Sequence, residues 1–202
     1  MEKEKGTLLC LPDISGFTEF MSDVDYELAS KVIPTLLNEI IYANTIGLKV
    51  SEIEGDAVFF FKQGTLPSFD NLIDQCLHFY EEFYLRLNNL KNEFSEHQKA
   101  HKIPEVLGLK IILHYGADVG SAPIGNSIKL LGEEVIVAHK LLKNKIQDKE
   151  YLLLTDSLLD QYQEQVRANH IVWGNLKEGK ANFDHLEQVP YKYLPNPSHA
   201  MS

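Results

Sequence analysis

Hydrophobic residues follow a helical period between Phe17 and about Ile46. Those on one predicted face are spaced about four residues apart: Leu28, Val32, Leu36, Ile40 and Ala43. This spacing predicts an amphipathic helix. Pro34 is expected either to kink it or to mark a junction between two helices, and Gly47 to end it.

Three further segments have helical patterns. The longest predicted helix runs from about Phe69 to His101 and ends before Pro104. Another covers residues 133–145, and a last one follows a cap at Thr155 and Asp156.

The remaining hydrophobic runs are short and bounded by turn residues, which is typical of strands. The first covers Thr7–Leu11, and residues 47–64 predict a hairpin that bends at Gly55 and Asp56. The other predicted strands cover residues 107–120, a tight hairpin at 124–132, a strand that begins near residue 150 and two strands between 170 and 194. This order predicts an α+β, ferredoxin-like sandwich with helices on a mostly antiparallel sheet.

Composition narrows the class of protein. The chain has 202 residues, 44% of them hydrophobic and 24% charged, which suits one globular domain over residues 1–195 with a flexible tail at 196–202. The net charge of −10 and the lack of a Lys/Arg cluster argue against nucleic acid or a membrane surface as a partner. No segment is apolar enough for a signal peptide or a membrane span, so we expect a cytoplasmic protein. Its two cysteines are then reduced thiols, with a single disulfide as the alternative.

Two aspartates suggest a metal site. Asp13 follows the first strand and Asp56 lies in the bend of the first hairpin, so a β-α-β-β order can bring them together. Neighbouring carboxylates repel unless one is protonated or a cation lies between them. Mg²⁺ or Mn²⁺ takes few protein carboxylates and completes its shell with water and phosphate. A turn-forming or helix-capping role is the alternative for each aspartate.

Four segments, in order and spacing, resemble the catalytic domain of class III adenylyl/guanylyl (nucleotidyl) cyclases. They are DISGFT at 13–18, GDAVFFF at 55–61, LHYGADVG at 113–120 and LLGEEVIVAHKLL at 130–142. The resemblance covers about residues 8–194. It implies the sandwich of the nucleotidyl cyclase type, Mg²⁺ or Mn²⁺ as two ions, a nucleoside triphosphate substrate and a homodimer with active sites at its interface.

The resemblance also implies roles for individual residues. Asp13 and Asp56 match the metal-binding aspartates, and Ile14 matches the residue whose carbonyl joins them. Phe17 and Thr18 match the turn that receives the β- and γ-phosphates.

Two positions match the residues that recognise the base. Glu52 is the residue type that goes with guanine in the family, whereas Lys129 fits neither the adenylyl nor the guanylyl pattern. A carboxylate can accept from guanine N1 and N2, and an ammonium can donate to O6 or to a pyrimidine carbonyl. A solvated salt bridge between Glu52 and Lys129 is the alternative.

One predicted helix departs from the family. Ile136 stands where the family has a ribose-orienting asparagine, and Lys140 where it has the arginine that stabilises the transition state. Lysine keeps the charge but loses the planar fork of arginine. Lys140 is therefore the catalytic candidate on this helix, with a solvated lysine as the alternative.

The function that the resemblance implies is a lyase reaction. The 3′-oxygen of a nucleoside triphosphate, GTP favoured by Glu52, attacks the α-phosphate and releases pyrophosphate. Two rivals remain: a nucleotide-binding or regulatory module that kept the fold, which Ile136 favours, and a structural partner of another cyclase-like chain. The segment from Gly174 to Ala181 fits part of a P-loop, but Ala181 replaces the required Ser or Thr and no helix is predicted to follow.

Overall fold

The computed structural model describes residues 5–125, 127–163, 176–184 and 186–197. Its strands are β1 (Lys5–Ser15), β2 (Lys49–Glu54), β3 (Ala57–Gln63), β4 (Gly108–Ile124), β5 (Ser127–Leu131), β6 (Tyr151–Thr155), β7 (Lys177–Ala181) and β8 (Val189–Pro195). Its helices are α1 (Phe17–Asp23), α2 (Tyr26–Tyr42), α3 (Phe69–Glu93), α4 (Lys102–Val106), α5 (Glu133–Leu141) and α6 (Asp156–Leu159), with a 3₁₀ turn at Asp160–Tyr162.

The strands form one sheet in the order β2-β3-β1-β4-β6-β8-β7. Neighbours are antiparallel except for β4 and β6, which run parallel. The far half of β4 pairs with β5, and together they form a two-stranded arm. The α+β class and the mostly antiparallel sheet are therefore as the sequence predicts.

The side chains of the strands form two hydrophobic layers, one on each face of the sheet, because successive residues of a strand point to opposite faces. In β1, Leu8 and Cys10 face the layer that contains α1 to α4 and α6. Leu9 and Leu11 face the smaller layer, which contains α5. Asp13 continues this second series and points to the α5 side of the sheet.

The predicted helix over 17–46 is two helices, and their junction is not at Pro34. The break falls at Val24 and Asp25, where the Asp25 carboxylate accepts a hydrogen bond of 2.9 Å from the Leu28 amide and caps α2. Pro34 lies inside α2, whose buried face compensates for the missing backbone hydrogen bond. The helix ends at Tyr42, before Gly47.

The predicted helix over 69–101 is also too long. It ends at Glu93, and a separate short helix, α4, contains Pro104. Proline is tolerated there because the first amides of a helix have no partner inside it. Between the two helices His97 Nε2 lies 2.8 Å from Asp25 Oδ2, which ties this segment to the cap of α2.

The C-terminal elements agree with the prediction where the structure describes them. β7 and β8 form the expected final hairpin, while the helix predicted beyond Gln163 lies outside the described residues. Asn196, placed in the predicted tail, donates its backbone N–H to the Glu150 carbonyl at 2.9 Å. Both cysteines are buried free thiols. None of the described helices has the length and apolar character needed to cross a membrane.

Gly16, between β1 and α1, is expected to be essential for the fold. Its φ of 77° is left-handed, and a Cβ there would lie 2.1 Å from the Val106 carbonyl oxygen. Gly16→Ala should lower the free energy of unfolding by roughly 3 kcal/mol or more, combining backbone strain and overlap. Chemical denaturation of the purified variant measures this loss.

Gly47→Ala is the matched control. Gly47 has a similar φ of 71°, but nothing lies within 4 Å of a Cβ at this position. We expect only the strain cost of about 1 kcal/mol. Equal losses in the two variants would show that contact with α4 does not constrain Gly16.

Candidate functional site

Asp13 and Asp56 lie side by side near the end of β1. Asp13 pairs in register with Ala57 of β3, the residue directly after Asp56. The Ile14 amide donates a hydrogen bond of 3.0 Å to the Asp56 carbonyl, which holds the β2–β3 turn against β1. The three residues predicted to form the metal site therefore meet at one point of the sheet.

The Asp13 carboxylate is buried, and only one of its two oxygens has a partner. Lys110 Nζ lies 2.9 Å from its Oδ2, whereas its Oδ1 is buried without a hydrogen-bond partner. Burial raises the pKa of Asp13 to about 7, Lys110 opposes this rise, and the nearby Asp56 carboxylate adds to it. A cation bound at Oδ1 would therefore stabilise the ionised form of the Asp13 carboxylate.

The side chains present fit a divalent cation that takes most of its ligands from elsewhere. Within the described ranges no three His, Cys, Asp or Glu side chains form a metal-binding group. Asp13 Oδ1 and the Asp56 carboxylate are a two-carboxylate set, which suits Mg²⁺ or Mn²⁺ completed by water and phosphate rather than a structural metal.

The predicted phosphate turn lies at the start of α1. Gly16 precedes the helix without a side-chain cap, Phe17 is half-buried, and Thr18 is exposed. The residues at the start of α1, Gly16 to Thr18, therefore follow Asp13 by three to five positions. Its role toward phosphates stays a prediction.

Glu52 and Lys129 form an ion pair that joins β2 to the β5 arm. Glu52 Oε1 also lies 3.5 Å from His139 Nε2, and Glu54 Oε2 lies 2.8 Å from His139 Nδ1. The His139 ring stacks on Phe59 with a centroid distance of 4.1 Å. The salt bridge considered as an alternative is present, and the same contact places a donor beside an acceptor, as recognition of a base edge requires.

The two altered positions on α5 have different surroundings. The Ile136 side chain is 52% exposed and does not join the hydrophobic layer beneath the helix. Lys140 Nζ lies 3.3 Å from the Asp184 carbonyl and 5.7 Å from the centre of the Phe183 ring, both in the β7–β8 connection.

Lys140 also opens onto a basic cavity of about 320 Å³. Its lining includes four lysines: Lys140, Lys143, Lys145 and Lys180. This concentration of positive charge is unusual in a chain of net charge −10, and it suits a polyanionic ligand. Lys177, the first residue of β7, lies 3.7 Å from Asp148 instead.

Three features of this region were not predicted from the sequence. Lys110 reaches Asp13 only through the β1–β4 register, which no local pattern encodes. Lys143 and Lys145 join Lys180 through the fold of the last hairpin. His139 contacts both acidic residues of β2, Glu52 and Glu54.

His114 is buried and lies in a polar network. Its Nδ1 is 3.0 Å from Thr155 Oγ1 and its Nε2 is 2.7 Å from Glu134 Oε2. The network fastens the first turn of α5 to β4 and β6. It thereby fixes the helix that carries Ile136, His139 and Lys140.

The comparison with family models matches residues 33–151 to a family described as "Protein of unknown function (DUF2652)". The chain belongs to this family. The match includes Glu52, Asp56, Lys129 and Lys140, while Asp13 precedes it. A curated relative of this DUF2652 chain, "Uncharacterized protein Rv2561/Rv2562" from Mycobacterium tuberculosis, is 30% identical over 121 residues. That region covers 60% of this chain and 56% of the relative, so the chain spans just over half of the relative's length.

Solved structures show the fold to which the DUF2652 chain is similar. The adenylyl cyclase CyaB from P. aeruginosa has a TM-score of 0.61 and 17% identity, over 96% of each chain. The guanylate cyclase domain of RhGC from Catenaria anguillulae, in complex with GTP, has a TM-score of 0.59 and 15% identity, over 96% of this chain and 98% of that one. The guanylyl cyclase Cya2 has a TM-score of 0.62 and 12% identity, over 95% and 92%. The fold is that of the class III cyclase catalytic domain.

Proposed function

We propose that this protein is a nucleotidyl cyclase-like lyase, which converts a nucleoside triphosphate to a 3′,5′-cyclic nucleotide and pyrophosphate. The observation that carries the proposal is the buried Asp13, whose Oδ1 lacks a partner and whose neighbour is Asp56. A buried, unpaired carboxylate oxygen is costly unless a ligand satisfies it. In a cyclase-type fold, a metal-bound triphosphate is such a ligand.

In this proposal Asp13 and Asp56 hold the divalent metal, Mg²⁺ or Mn²⁺, with the Ile14 carbonyl beside them. When bound, the metal supplies Lewis-acid chemistry to the 3′-hydroxyl and the phosphates. Phe17 and Thr18 position the β- and γ-phosphates through the backbone at the start of α1. By holding the metal, Asp13 and Asp56 would orient the α-phosphate toward the attacking oxygen.

Base recognition is assigned to Glu52 and Lys129. Their ion pair presents two carboxylate oxygens as acceptors beside an ammonium donor, which suits guanine because N1 and N2 donate and O6 accepts. GTP is therefore the favoured substrate of the proposal.

Lys140 is the proposed catalytic side chain. Its ammonium stabilises the charge that develops as pyrophosphate leaves, and the cavity it shares with Lys143, Lys145 and Lys180 receives the anionic product. Lysine provides this charge without the two-pronged hydrogen bonding of arginine.

A homodimer would bring Lys140 of one protomer to the aspartates of the other. Exposed apolar side chains on β2, the β4–β5 arm and α5 provide a surface for such an association. They are Val50, Ile53, Ile124, Ile128, Leu131 and Ile136.

A second candidate is a nucleotide-binding module without turnover. Ile136 favours it, because an exposed aliphatic side chain cannot hydrogen-bond a ribose. Incubation with all four triphosphates and Mn²⁺, followed by mass spectrometry for cyclic products, separates the two candidates. Product supports the lyase, whereas nucleotide binding without product supports the module.

Removing either metal-site carboxylate should abolish metal-dependent nucleotide binding. For Asp13→Asn and Asp56→Asn we expect at least a tenfold loss of Mg²⁺-dependent affinity, about 1.4 kcal/mol. Calorimetry with guanosine 5′-(α,β-methylene)triphosphate, which cannot release pyrophosphate, measures it without turnover. The control is Asp74→Asn, an exposed aspartate on α3. Unchanged affinity in both site variants would contradict the metal site.

Glu52→Gln should reduce discrimination between guanine and adenine. Glutamine keeps one acceptor oxygen but places an NH₂ group where the second carboxylate oxygen would accept, so one guanine donor loses its acceptor, which costs about 1–3 kcal/mol for GTP relative to ATP. Competition binding with both nucleotides measures the ratio. Glu54→Gln, two residues away and in contact with the same His139, should leave it unchanged. Parallel changes for GTP and ATP in Glu52→Gln would remove Glu52 from base recognition.

Restoring the family residues on α5 should raise turnover. We expect slow purine cyclisation in the natural chain, because poor ribose positioning alone costs about 100-fold in rate. Ile136→Asn combined with Lys140→Arg should recover up to this factor in cyclic product formed per unit time. Lys140→Ala should lower the rate further. Full activity of Lys140→Ala, or loss of activity in the double variant, would show that the lyase uses this helix differently.

A further inference from the structure

We propose that the Lys110 ammonium occupies the second cation position beside Asp13, so that each protomer binds one divalent metal instead of two. The inference rests on the proposed metal–triphosphate site. It concerns a residue that lies outside all four cyclase-like segments of the sequence.

The strand register fixes Lys110 at this position. Lys110 and Asp13 are direct partners in the β1–β4 pair, and both side chains point to the α5 side of the sheet. Directly opposed residues lie close enough for their side chains to meet without rearrangement. The pairing of β1 with β4 by itself therefore brings the two groups of the ion pair together.

Two acceptors hold the ammonium in place. Lys110 Nζ lies 2.9 Å from Asp13 Oδ2 and 3.4 Å from the Leu142 carbonyl, directly after the last residue of α5. The C-terminal end of a helix favours a cation through its free carbonyls. The Lys110 side chain is only 21% exposed, so water screens its attraction to Asp13 weakly.

Coordination by two metals would need both oxygens of the Asp13 carboxylate. In two-metal sites the ions lie about 3.5–4 Å apart, and shared carboxylates bridge them. Lys110 already takes Oδ2, which leaves Oδ1 and the Asp56 carboxylate for a single ion. The two carboxylates and the ammonium carry one net negative charge, and one divalent ion more than neutralises it.

Counting bound Mn²⁺ tests this inference without requiring turnover. The full chain is titrated with Mn²⁺ in the presence of guanosine 5′-(α,β-methylene)triphosphate, and electron paramagnetic resonance reports the number and coupling of the bound ions. We expect one uncoupled Mn²⁺ per protomer in the natural protein. Lys110→Met should bind two, with the broadened spectrum of a coupled pair.

Two control variants isolate the charge. Lys110→Arg keeps the positive charge and should bind one Mn²⁺. Lys31→Met removes an exposed lysine of α2 that pairs with Glu27, and it should also bind one. If Lys110→Met does not fold, Lys110→Ala replaces it as a neutral variant that leaves Asp13 Oδ2 free.

The outcomes separate this inference from the proposed function. Two ions in the natural protein, or one ion in the folded neutral variant, would overturn the role of Lys110. The absence of Mn²⁺ binding in all variants would overturn both proposals. The expected Mn²⁺ counts without any cyclic product would contradict the lyase alone and leave the role of Lys110 supported.

Discussion

The pairing of β1 between β3 and β4 is the constraint on which the rest of the structure depends. β1 is buried on both faces, and its alternation assigns every second residue to one of two hydrophobic layers. A slip of one residue would move Asp13 from the α5 side into the layer of the long helices. The same register brings Asp56 and Lys110 to the carboxylate from opposite sides. The core and the candidate site are thus specified by one set of backbone hydrogen bonds.

The element types and their order were largely predictable, because the periodicities of helix and strand are local properties of the sequence. The errors concerned the ends of helices, which depend on capping side chains and on whether a proline can be accommodated inside a helix. Asp25 caps the start of α2 through a side-chain hydrogen bond, whereas Pro34 is accommodated inside that helix, whose buried face stabilises it. The extent of the domain at residues 1–195 stays a prediction.

The candidate site was predictable in part. Asp13 and Asp56 stand out because each lies in a cyclase-like segment, and Glu52 and Lys129 because each lies three residues before a glycine of such a segment. The structure places the four residues in two pairs. Lys110, His139 and Lys143 reach the site through strand register and helix packing, which are properties of the assembled fold. Lys110 has no local signal: it is a charged residue in a hydrophobic strand, a pattern that a snorkelling lysine would also produce.

The long strand β4 connects distant parts of the molecule through one continuous stretch of backbone. This single strand of 17 residues carries Lys110 near its start and His114 in its middle, and its far half supports the arm that bears Lys129. Its first half is hydrogen-bonded to β1 and, at Lys110–Leu113, also to β6, whereas Gly120–Ile124 pair with β5. The arm that bears Lys129 and the ammonium of Lys110 are therefore joined by one continuous strand. A ligand or a second protomer that displaces the arm would therefore act on the same strand that holds Lys110 beside Asp13.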